Sequence, residues 1–278
     1  MTPLVCAADL RAALEGRAAP VLIDTRFDLA DPAAGERSWR EGHLPGAHYL
    51  HLDRDLCGPK TGRNGRHPLP ARAAFAALVG TLGIGPSTPV VVLDGQQGMF
   101  AARAWWMLRW LGHRDVALLD GGVAAWEAAG GRLDTAMPAR PGGPPYPAGE
   151  PGVAQTDAAT LHAGLGRVRL IDARAAERFR DEVEPLDAQA GHIPGALNRP
   201  FKDNLAPDGR FKPAAQLRAE FEDLGVRPGT PVVHQCGSGV TACHNALAME
   251  AAGLGAGVLY PGSWSEWSAD PARPVATG

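Results

Sequence analysis

The chain repeats itself once, and this internal repeat limits the folds that it can adopt. Four segments of the first half recur in the same order in the second half, at an offset of about 140 to 150 residues. Because there are only two copies, each long enough for a domain, the repeat indicates two duplicated domains rather than a solenoid. The matched pairs are VLIDTR at 21–26 with RLIDAR at 169–174, GHLPGA at 42–47 with GHIPGA at 191–196, LGIGPSTPVV at 82–91 with LGVRPGTPVV at 224–233, and LDGG at 119–122 with YPGS at 260–263.

A proline- and glycine-rich stretch separates the two copies. It covers residues 134–152. Proline removes a backbone donor and fixes φ, so this composition is typical of a linker. We therefore predict a first domain at 1–133, a linker at 134–152 and a second domain at 153–278.

Short apolar runs alternate with amphipathic stretches in each half. In the second half, residues 168–172, 232–235 and 257–260 are predicted strands, and residues 213–223 and 242–252 are predicted helices. Such alternation favours a mostly parallel sheet with helices on both faces. The predicted fold class is therefore α/β, as two tandem copies of one domain.

The strongest candidate for chemistry is Cys236, which follows a predicted buried strand and opens a glycine-rich turn into a predicted helix. The segment 231–241 reads PVVHQCGSGVT. Functional groups collect at the carboxyl ends of parallel strands. The backbone N–H groups of such a turn and the N-terminus of the helix favour a thiolate, which is the nucleophilic form of cysteine. The alternative is a buried structural cysteine, since cysteine is among the most buried residue types.

The two copies differ at the position of this cysteine. When the halves are aligned on Pro89 and Pro231, Asp94 stands where the second half has Cys236. A carboxylate cannot carry out thiol chemistry. We therefore predict a catalytic second domain and a non-catalytic first domain that supplies an interface wall.

Composition narrows the functional classes. The net charge of −3 gives no reason to expect nucleic acid as a partner, and no apolar run is long enough to span a bilayer, so no membrane partner is expected. The N-terminal segment lacks the pattern of a secretory signal. The few cysteines show no Cys-x-x-Cys pair and no zinc-ligand spacing, which favours a cytoplasmic protein with reduced thiols and no metal. They are Cys6, Cys57, Cys236 and Cys243.

Taken in order, the motifs of both halves resemble those of the two-domain rhodanese-type sulfurtransferases, the thiosulfate and 3-mercaptopyruvate sulfurtransferase family. The motifs are the Asp-x-Arg after the first strand of each half, both Gly-His-x-Pro-Gly-Ala segments, the CGSGVTA loop at 236–242 and GSWSEW at 262–267. The resemblance implies that Cys236 takes a sulfane sulfur from 3-mercaptopyruvate or thiosulfate, becomes a persulfide, and passes the sulfur to a thiophilic acceptor. Candidate acceptors are cyanide, thioredoxin and other thiols. No organic or metal cofactor is expected.

The resemblance also nominates residues that bind the donor. Arg178 matches the family's arginine for the anionic donor, and a planar guanidinium suits a carboxylate or sulfonate-like group. The remaining substrate-binding residues are implied by the loop itself: Gly237, Ser238, Gly239, Val240 and Thr241.

The loop is informative about the donor. Classical thiosulfate-using members carry cationic residues directly after the cysteine, where this chain has Gly237 and Ser238. The neutral loop is similar to that of the 3-mercaptopyruvate sulfurtransferases, in which a loop serine is proposed to act with a histidine and an aspartate. The matching positions are His67 and Asp53. A serine hydroxyl can protonate a developing enolate, with histidine as its proton partner.

One departure counts against the mercaptopyruvate interpretation. Those enzymes carry a second substrate arginine in a Glu-Pro-Arg segment, where this chain has Glu184-Pro-Leu186. The second clamp is missing unless Arg199 or Arg63 replaces it. The sequence thus favours 3-mercaptopyruvate slightly, with some thiosulfate activity, and leaves a thiosulfate-preferring rhodanese as the alternative.

Two other functional classes share features with this chain. A cysteine phosphatase needs Cys-x5-Arg, and Ala242 occupies the arginine position. A non-enzymatic binding or regulatory module is the second alternative, because Asp94 makes the first domain a candidate for it. Cys236 argues against that function for the whole chain.

Overall fold

The chain forms two compact units. The structure is a computed structural model that describes residues 2–16, 18–187 and 189–278. Unit 1 comprises Met1–Gly58, Leu69–Gly152 and Asp208–Arg210, and unit 2 comprises Pro59–Pro68, Val153–Pro207 and Phe211–Gly278. Residues 59–68 thus belong to unit 2, although they precede the predicted linker in the sequence. Among the described residues, no helix has the length and apolar character that crossing a membrane requires.

Unit 1 is a five-stranded sheet in which every pairing is parallel. Its strand order is β1-β5-β4-β2-β3. The strands are β1 (Leu4–Val5), β2 (Val21–Asp24), β3 (His48–Tyr49), β4 (Val90–Leu93) and β5 (Val116–Leu119), and the helices are α1 (Ala7–Leu14), α2 (Ala34–Glu41), α3 (Leu52–Asp55), α4 (Arg72–Thr81), α5 (Ala101–Trp110) and α6 (Gly122–Ala128).

Unit 2 repeats this topology, with the strand order β6-β10-β9-β7-β8 and parallel pairing throughout. The sequence repeat is therefore a repeat of the fold. The strands are β6 (Ala154–Gln155), β7 (Arg169–Asp172), β8 (Leu197–Asn198), β9 (Val232–Gln235) and β10 (Val258–Leu259), and the helices are α7 (Ala158–Gly164), α8 (Ala176–Phe179), a 3-10 helix (Phe201–Asn204), α9 (Ala214–Asp223), α10 (Thr241–Ala251) and α11 (Ser263–Trp267).

The predicted elements of the second half are confirmed, with ends that differ by at most one residue. Strand β9 coincides with the predicted 232–235, and all four of its residues are buried. A short run that is buried on both faces is what a central parallel strand requires. Helix α10 begins one residue before the predicted 242 and ends one residue before the predicted 252.

Helices cover both faces of each sheet. Connections between parallel strands are right-handed, so a reversal of direction along the sheet moves the next helix to the other face. In unit 2 the chain runs from β6 through β7 to β8 and then returns to β9 and β10, which separates α7 and α8 from α9 and α10. On the first face, Leu161 packs in one cluster with Leu170, Val233 and Trp267. The predicted α/β fold class is confirmed.

The repeated Asp-x-Arg motif closes the end of the first long strand in each unit. Asp172 is fully buried, and its carboxylate accepts hydrogen bonds from the backbone N–H of Arg174 at 2.9 Å and from Nη2 of that side chain at 2.7 Å. The same Nη2 donates to the carbonyl of Gly191 at 2.8 Å, which ties the strand to the Gly-His-Ile-Pro-Gly turn. Asp24 and Arg26 form the equivalent pair in unit 1. These two motifs recur because each domain needs the same buried anchor.

We expect Asp172→Ala to destabilise unit 2 strongly. The substitution removes the carboxylate that faces the Arg174 guanidinium, and breaking a buried ion pair costs about 3–5 kcal/mol. Urea unfolding followed by tryptophan fluorescence measures the loss. The matched control is Glu182→Ala, which removes the exposed partner of Arg180 and should leave the unfolding midpoint unchanged. Equal midpoints for the two variants would contradict the assigned role.

Candidate active site

Cys236 lies between the end of β9 and the start of α10, where the sequence places it. Its exposed fraction is 1%, and the backbone N–H of Gly239 donates to its Sγ at 3.1 Å. Helix α10 begins at Thr241, so its N-terminal partial positive charge follows the loop directly. The sulfur therefore lies against a backbone N–H donor and close to a helix N-terminus, both of which stabilise a negative charge.

Residues at the start of α11 form hydrogen bonds with the loop that carries Cys236. Ser263 has a φ of 54°, and its hydroxyl accepts the N–H of Cys236 at 3.1 Å while donating to the carbonyl of Tyr260 at 2.9 Å. The backbone N–H groups of Trp264 and Ser265 donate to the carbonyls of Cys236 and Gly237, each at 2.9 Å. The GSWSEW motif at 262–267 thus fixes the backbone on which the cysteine is carried.

Gly239 allows the loop to approach this support closely. Its φ is +76°, and a Cβ at this position would lie 2.2 Å from the carbonyl oxygen of Pro261. Any side chain would push residue 239 away from residue 261. The N–H that binds Sγ would move with it.

Unit 1 has an anion at the equivalent point of the fold. Asp94 follows β4 and is fully buried. Its carboxylate accepts four backbone N–H groups at 2.9 Å, from Gln96, Gly98, Phe100 and Ala101. A loop that leads from a central strand into a helix in this fold can therefore hold a buried negative charge. The division into a catalytic second domain and a non-catalytic first domain stays a prediction.

Ser238 and His67 meet in unit 2. The Ser238 Oγ and the His67 Nδ1 are 2.7 Å apart, and both side chains are buried. The sequence interpretation assigned His67 to the first domain, whereas it lies in the segment 59–68 of unit 2. Asp53 lies in α3 of unit 1, so its participation stays a prediction.

Arg178 lies beside the loop, on α8. A Cβ built on Gly237 would be 3.3 Å from Nη1 of Arg178. Nη2 of Arg178 donates to Glu184 Oε1 at 2.6 Å and to Asp187 Oδ2 at 3.2 Å. The predicted donor arginine is thus next to the residue that follows the cysteine.

A second arginine, Arg66, reaches the same place and was missed by the sequence analysis. A Cβ on Gly237 would lie 2.8 Å from Nη2 of Arg66, and Nη1 of Arg66 forms an ion pair with Asp187. The sequence had suggested two other arginines as replacements for the missing one. The guanidinium of Arg199 donates to Asn204 Oδ1 at 3.1 Å and to Glu220 Oε2 at 2.8 Å. Arg63 is exposed. The sequence signal that could have identified Arg66 as a site residue is its position next to His67.

We expect Gly239→Ala to slow the predicted sulfur transfer by about 100-fold, because a displacement of about 1 Å can have that effect on a reacting group. Steady-state transfer rates measure it. The matched control is Gly229→Ala, where φ is +87° and an added Cβ would meet no described atom within 4 Å. That variant carries the same backbone strain, about 1–2 kcal/mol, without moving the loop. Equal rate losses in both variants would contradict the role of close packing at residue 239.

Comparison with known proteins agrees with the duplicated fold. The family described as "Rhodanese-like domain" matches residues 7–129 and 157–270. A Pseudomonas aeruginosa protein named "Probable 3-mercaptopyruvate sulfurtransferase" is 52% identical over 265 residues, covering 93% of this chain and 92% of that protein. The mouse thiosulfate sulfurtransferase is 36% identical, covering 95% of this chain and 91% of that protein.

Solved structures show the same architecture. The structure of 3-mercaptopyruvate sulfurtransferase from Leishmania major is 28% identical and superposes with a TM-score of 0.84, covering 95% of this chain and 74% of that chain. The family match in both halves, the relatives that cover more than nine-tenths of the chain and the duplicated parallel sheets lead to one assignment. The chain belongs to the rhodanese family and is a two-domain sulfurtransferase.

Proposed function

We propose that this sulfurtransferase moves a sulfane sulfur from 3-mercaptopyruvate or thiosulfate to a thiophilic acceptor through a persulfide on Cys236. The observation that carries the proposal is the placement of the buried Cys236 sulfur against the Gly239 N–H and the start of α10. Thiolate and persulfide are both anions, so the same backbone groups stabilise the enzyme before and after it takes the sulfur.

With 3-mercaptopyruvate, the Cys236 thiolate attacks the donor sulfur and an S–S bond forms. The bond between that sulfur and C3 of the donor breaks, and its electron pair leaves as the enolate of pyruvate. The enolate takes up one proton, which gives pyruvate and the enzyme persulfide. Stabilisation and protonation of this enolate are the demanding part of the step.

With thiosulfate, the leaving group is different. The thiolate attacks the outer sulfur, the S–S bond of thiosulfate breaks, and its electron pair leaves with sulfite. No proton is needed. In the second half-reaction cyanide attacks the terminal persulfide sulfur and leaves as thiocyanate, which restores the Cys236 thiolate. Thioredoxin or another thiol is the proposed alternative acceptor.

Ser238 and His67 fit the proton requirement of the first donor. Their 2.7 Å contact joins a hydroxyl of the loop to an imidazole nitrogen that can pass a proton to it. Ser238 lies two residues after the nucleophile, so its hydroxyl is available to an enolate that forms beside Cys236. This contact supports 3-mercaptopyruvate as the preferred donor. The proposed compartment is the cytoplasm, since few cysteines suit a reducing environment.

The persulfide is tested by mass spectrometry of the intact protein after incubation with each donor. The wild-type chain should gain the mass of one sulfur atom, and Cys236→Ser should gain none. The matched control is Cys243→Ser, because Cys243 is also buried but its thiol donates to the carbonyl of Gly239 at 3.4 Å. This variant should gain the sulfur as the wild type does. A folded wild-type protein that takes no sulfur from either donor would overturn the proposal.

Donor-dependent kinetics test the role of Ser238. Because only the mercaptopyruvate reaction needs a proton, Ser238→Ala should lower kcat with 3-mercaptopyruvate by about 100-fold or more and leave kcat with thiosulfate almost unchanged. Steady-state assays with cyanide as the acceptor measure both donors side by side. The wild type should prefer 3-mercaptopyruvate. Equal losses with the two donors would mean that Ser238 only shapes the loop.

A further inference from the structure

Two guanidinium groups converge on the residue that follows the nucleophile. Arg66 comes from the segment 59–68 and Arg178 from α8, and both lie within 3.3 Å of the position that a Cβ on Gly237 would occupy. The side chains of Arg66 and Arg178 are 28% and 17% exposed, so each is partly accessible to a small molecule. Positive charge is thus present beside Gly237, the residue that follows the cysteine, although the loop itself is neutral.

The positive charge reaches this place from outside the loop. Gly237 leaves the space next to Cys236 open, and the Arg66 guanidinium occupies it. Residue 186 does not supply a cation, since it is a leucine with an exposed fraction of 51%. Arg66 therefore supplies a positive charge next to Gly237 that neither the loop nor residue 186 provides.

Two buried carboxylates balance these arginines, and they differ in what holds them. Glu184 is fixed by backbone as well as by Arg178, since its Oε1 accepts the N–H groups of Leu186 at 3.0 Å and Asp187 at 3.1 Å. The Asp187 carboxylate contacts the guanidinium groups themselves, Nη1 of Arg66 and Nη2 of Arg178. Asp187 thus forms ion pairs with both arginines, as the carboxylate of a small molecule would.

Burial weakens the ion pairs that Asp187 forms with Arg66 and Arg178, because it disfavours the charged form of the Asp187 carboxylate. The Asp187 side chain is 5% exposed, and its desolvation raises the pKa of the carboxyl above its usual value, although the Arg66 guanidinium lowers it in part. The charged form is therefore held less favourably than two arginine contacts alone would suggest. An incoming anion offers the same guanidinium groups an equivalent partner.

We propose that Arg66 is a second donor-binding residue, which together with Arg178 binds the anionic group of the donor beside Gly237, and that Asp187 is the internal counterion that the donor displaces. This inference rests on the proposed function, since it concerns the donor of the same reaction. The recognised chemistry is an oxyanion, the carboxylate of 3-mercaptopyruvate or the sulfonate-like end of thiosulfate. Arg66 acts in binding, not in the transfer of sulfur.

Steady-state kinetics of Arg66→Gln with each donor test the proposal. Loss of a charge-assisted contact should raise the donor KM and lower kcat/KM by roughly 10- to 100-fold. The kcat at saturating donor, and discharge of the preformed persulfide to dithiothreitol, should stay near the wild-type values. Running 3-mercaptopyruvate and thiosulfate side by side shows whether the carboxylate, the sulfonate-like group or both are bound. The matched control is Arg63→Gln, an exposed arginine three residues earlier in the same segment, which should change neither constant.

Asp187→Asn gives an independent test, because it should lower the donor KM, whereas Arg66→Gln should raise it. Removing the competing carboxylate should lower the donor KM several-fold, whereas a purely structural ion pair would give an unchanged or higher KM. Arg66→Lys, which keeps the charge but not the planar fork, should recover part of the affinity. These two variants decide the matter if Arg66→Gln does not fold. A donor KM in Arg66→Gln equal to that of Arg63→Gln, or a raised KM in Asp187→Asn, would overturn the inference.

The same experiments separate this inference from the proposed function. If the wild type takes no sulfur from either donor, the proposed function fails and the inference fails with it. If the wild type and Arg66→Gln both form the persulfide at the same donor concentrations, the proposed function stands and the role of Arg66 is excluded. If Arg66→Gln forms it only at raised donor concentrations, both stand.

Discussion

The close packing of residue 239 against residue 261 is the constraint on which the Cys236 loop of unit 2 depends. Gly239 touches the carbonyl of Pro261, which brings its N–H to the Cys236 sulfur and leaves the helix N-terminus directly behind the loop. Ser263 adopts a left-handed backbone conformation, which is unusual for a residue with a side chain, and its hydroxyl holds the N–H of Cys236. The backbone strain at Ser263 is thus compensated by the hydrogen bonds with which Ser263 positions Cys236.

The duplication offers an internal comparison of what this loop position does. Unit 1 keeps a carboxylate there, bound by four backbone N–H groups, and unit 2 keeps a sulfur. What the two loops share is backbone N–H groups directed at a buried side chain that follows a central parallel strand. Thiol chemistry adds one requirement to that shared property, which is a nucleophilic atom. The same fold is therefore compatible with either residue at this position.

Much of the fold could be predicted from the sequence because the signals are local or repeated. Strand β9 and helix α10 follow from a short apolar run, a glycine-rich turn and a helix-compatible stretch, and the repeat extends that interpretation to the other half. The place of Cys236 follows from the same local order. The family assignment of the motifs was confirmed by comparison, whereas the roles of individual residues stay predictions.

The arginine arrangement could not be predicted, because it depends on contacts between residues far apart in the chain. Arg66 and Asp187 are separated by 121 positions, and no periodicity or spacing connects them. The sequence did show that the arginine expected from the family resemblance is a leucine at position 186, but it did not indicate that Arg66 lies next to Gly237. Arg199 was a reasonable candidate by residue type, yet its guanidinium is used by Asn204 and Glu220.

The membership of residues 59–68 in unit 2 has a consequence for how the protein can be divided. A fragment that starts after the linker would contain Cys236, Arg178 and Asp187 but would lack His67 and Arg66, which the chain makes before it reaches the linker. The duplicated halves are therefore not interchangeable modules. Because Arg66 and His67 come from the first half of the sequence, deleting or exchanging that half as a cassette would remove both side chains from unit 2, and this dependence is a structural reason to retain a half whose own loop carries Asp94 in place of a cysteine.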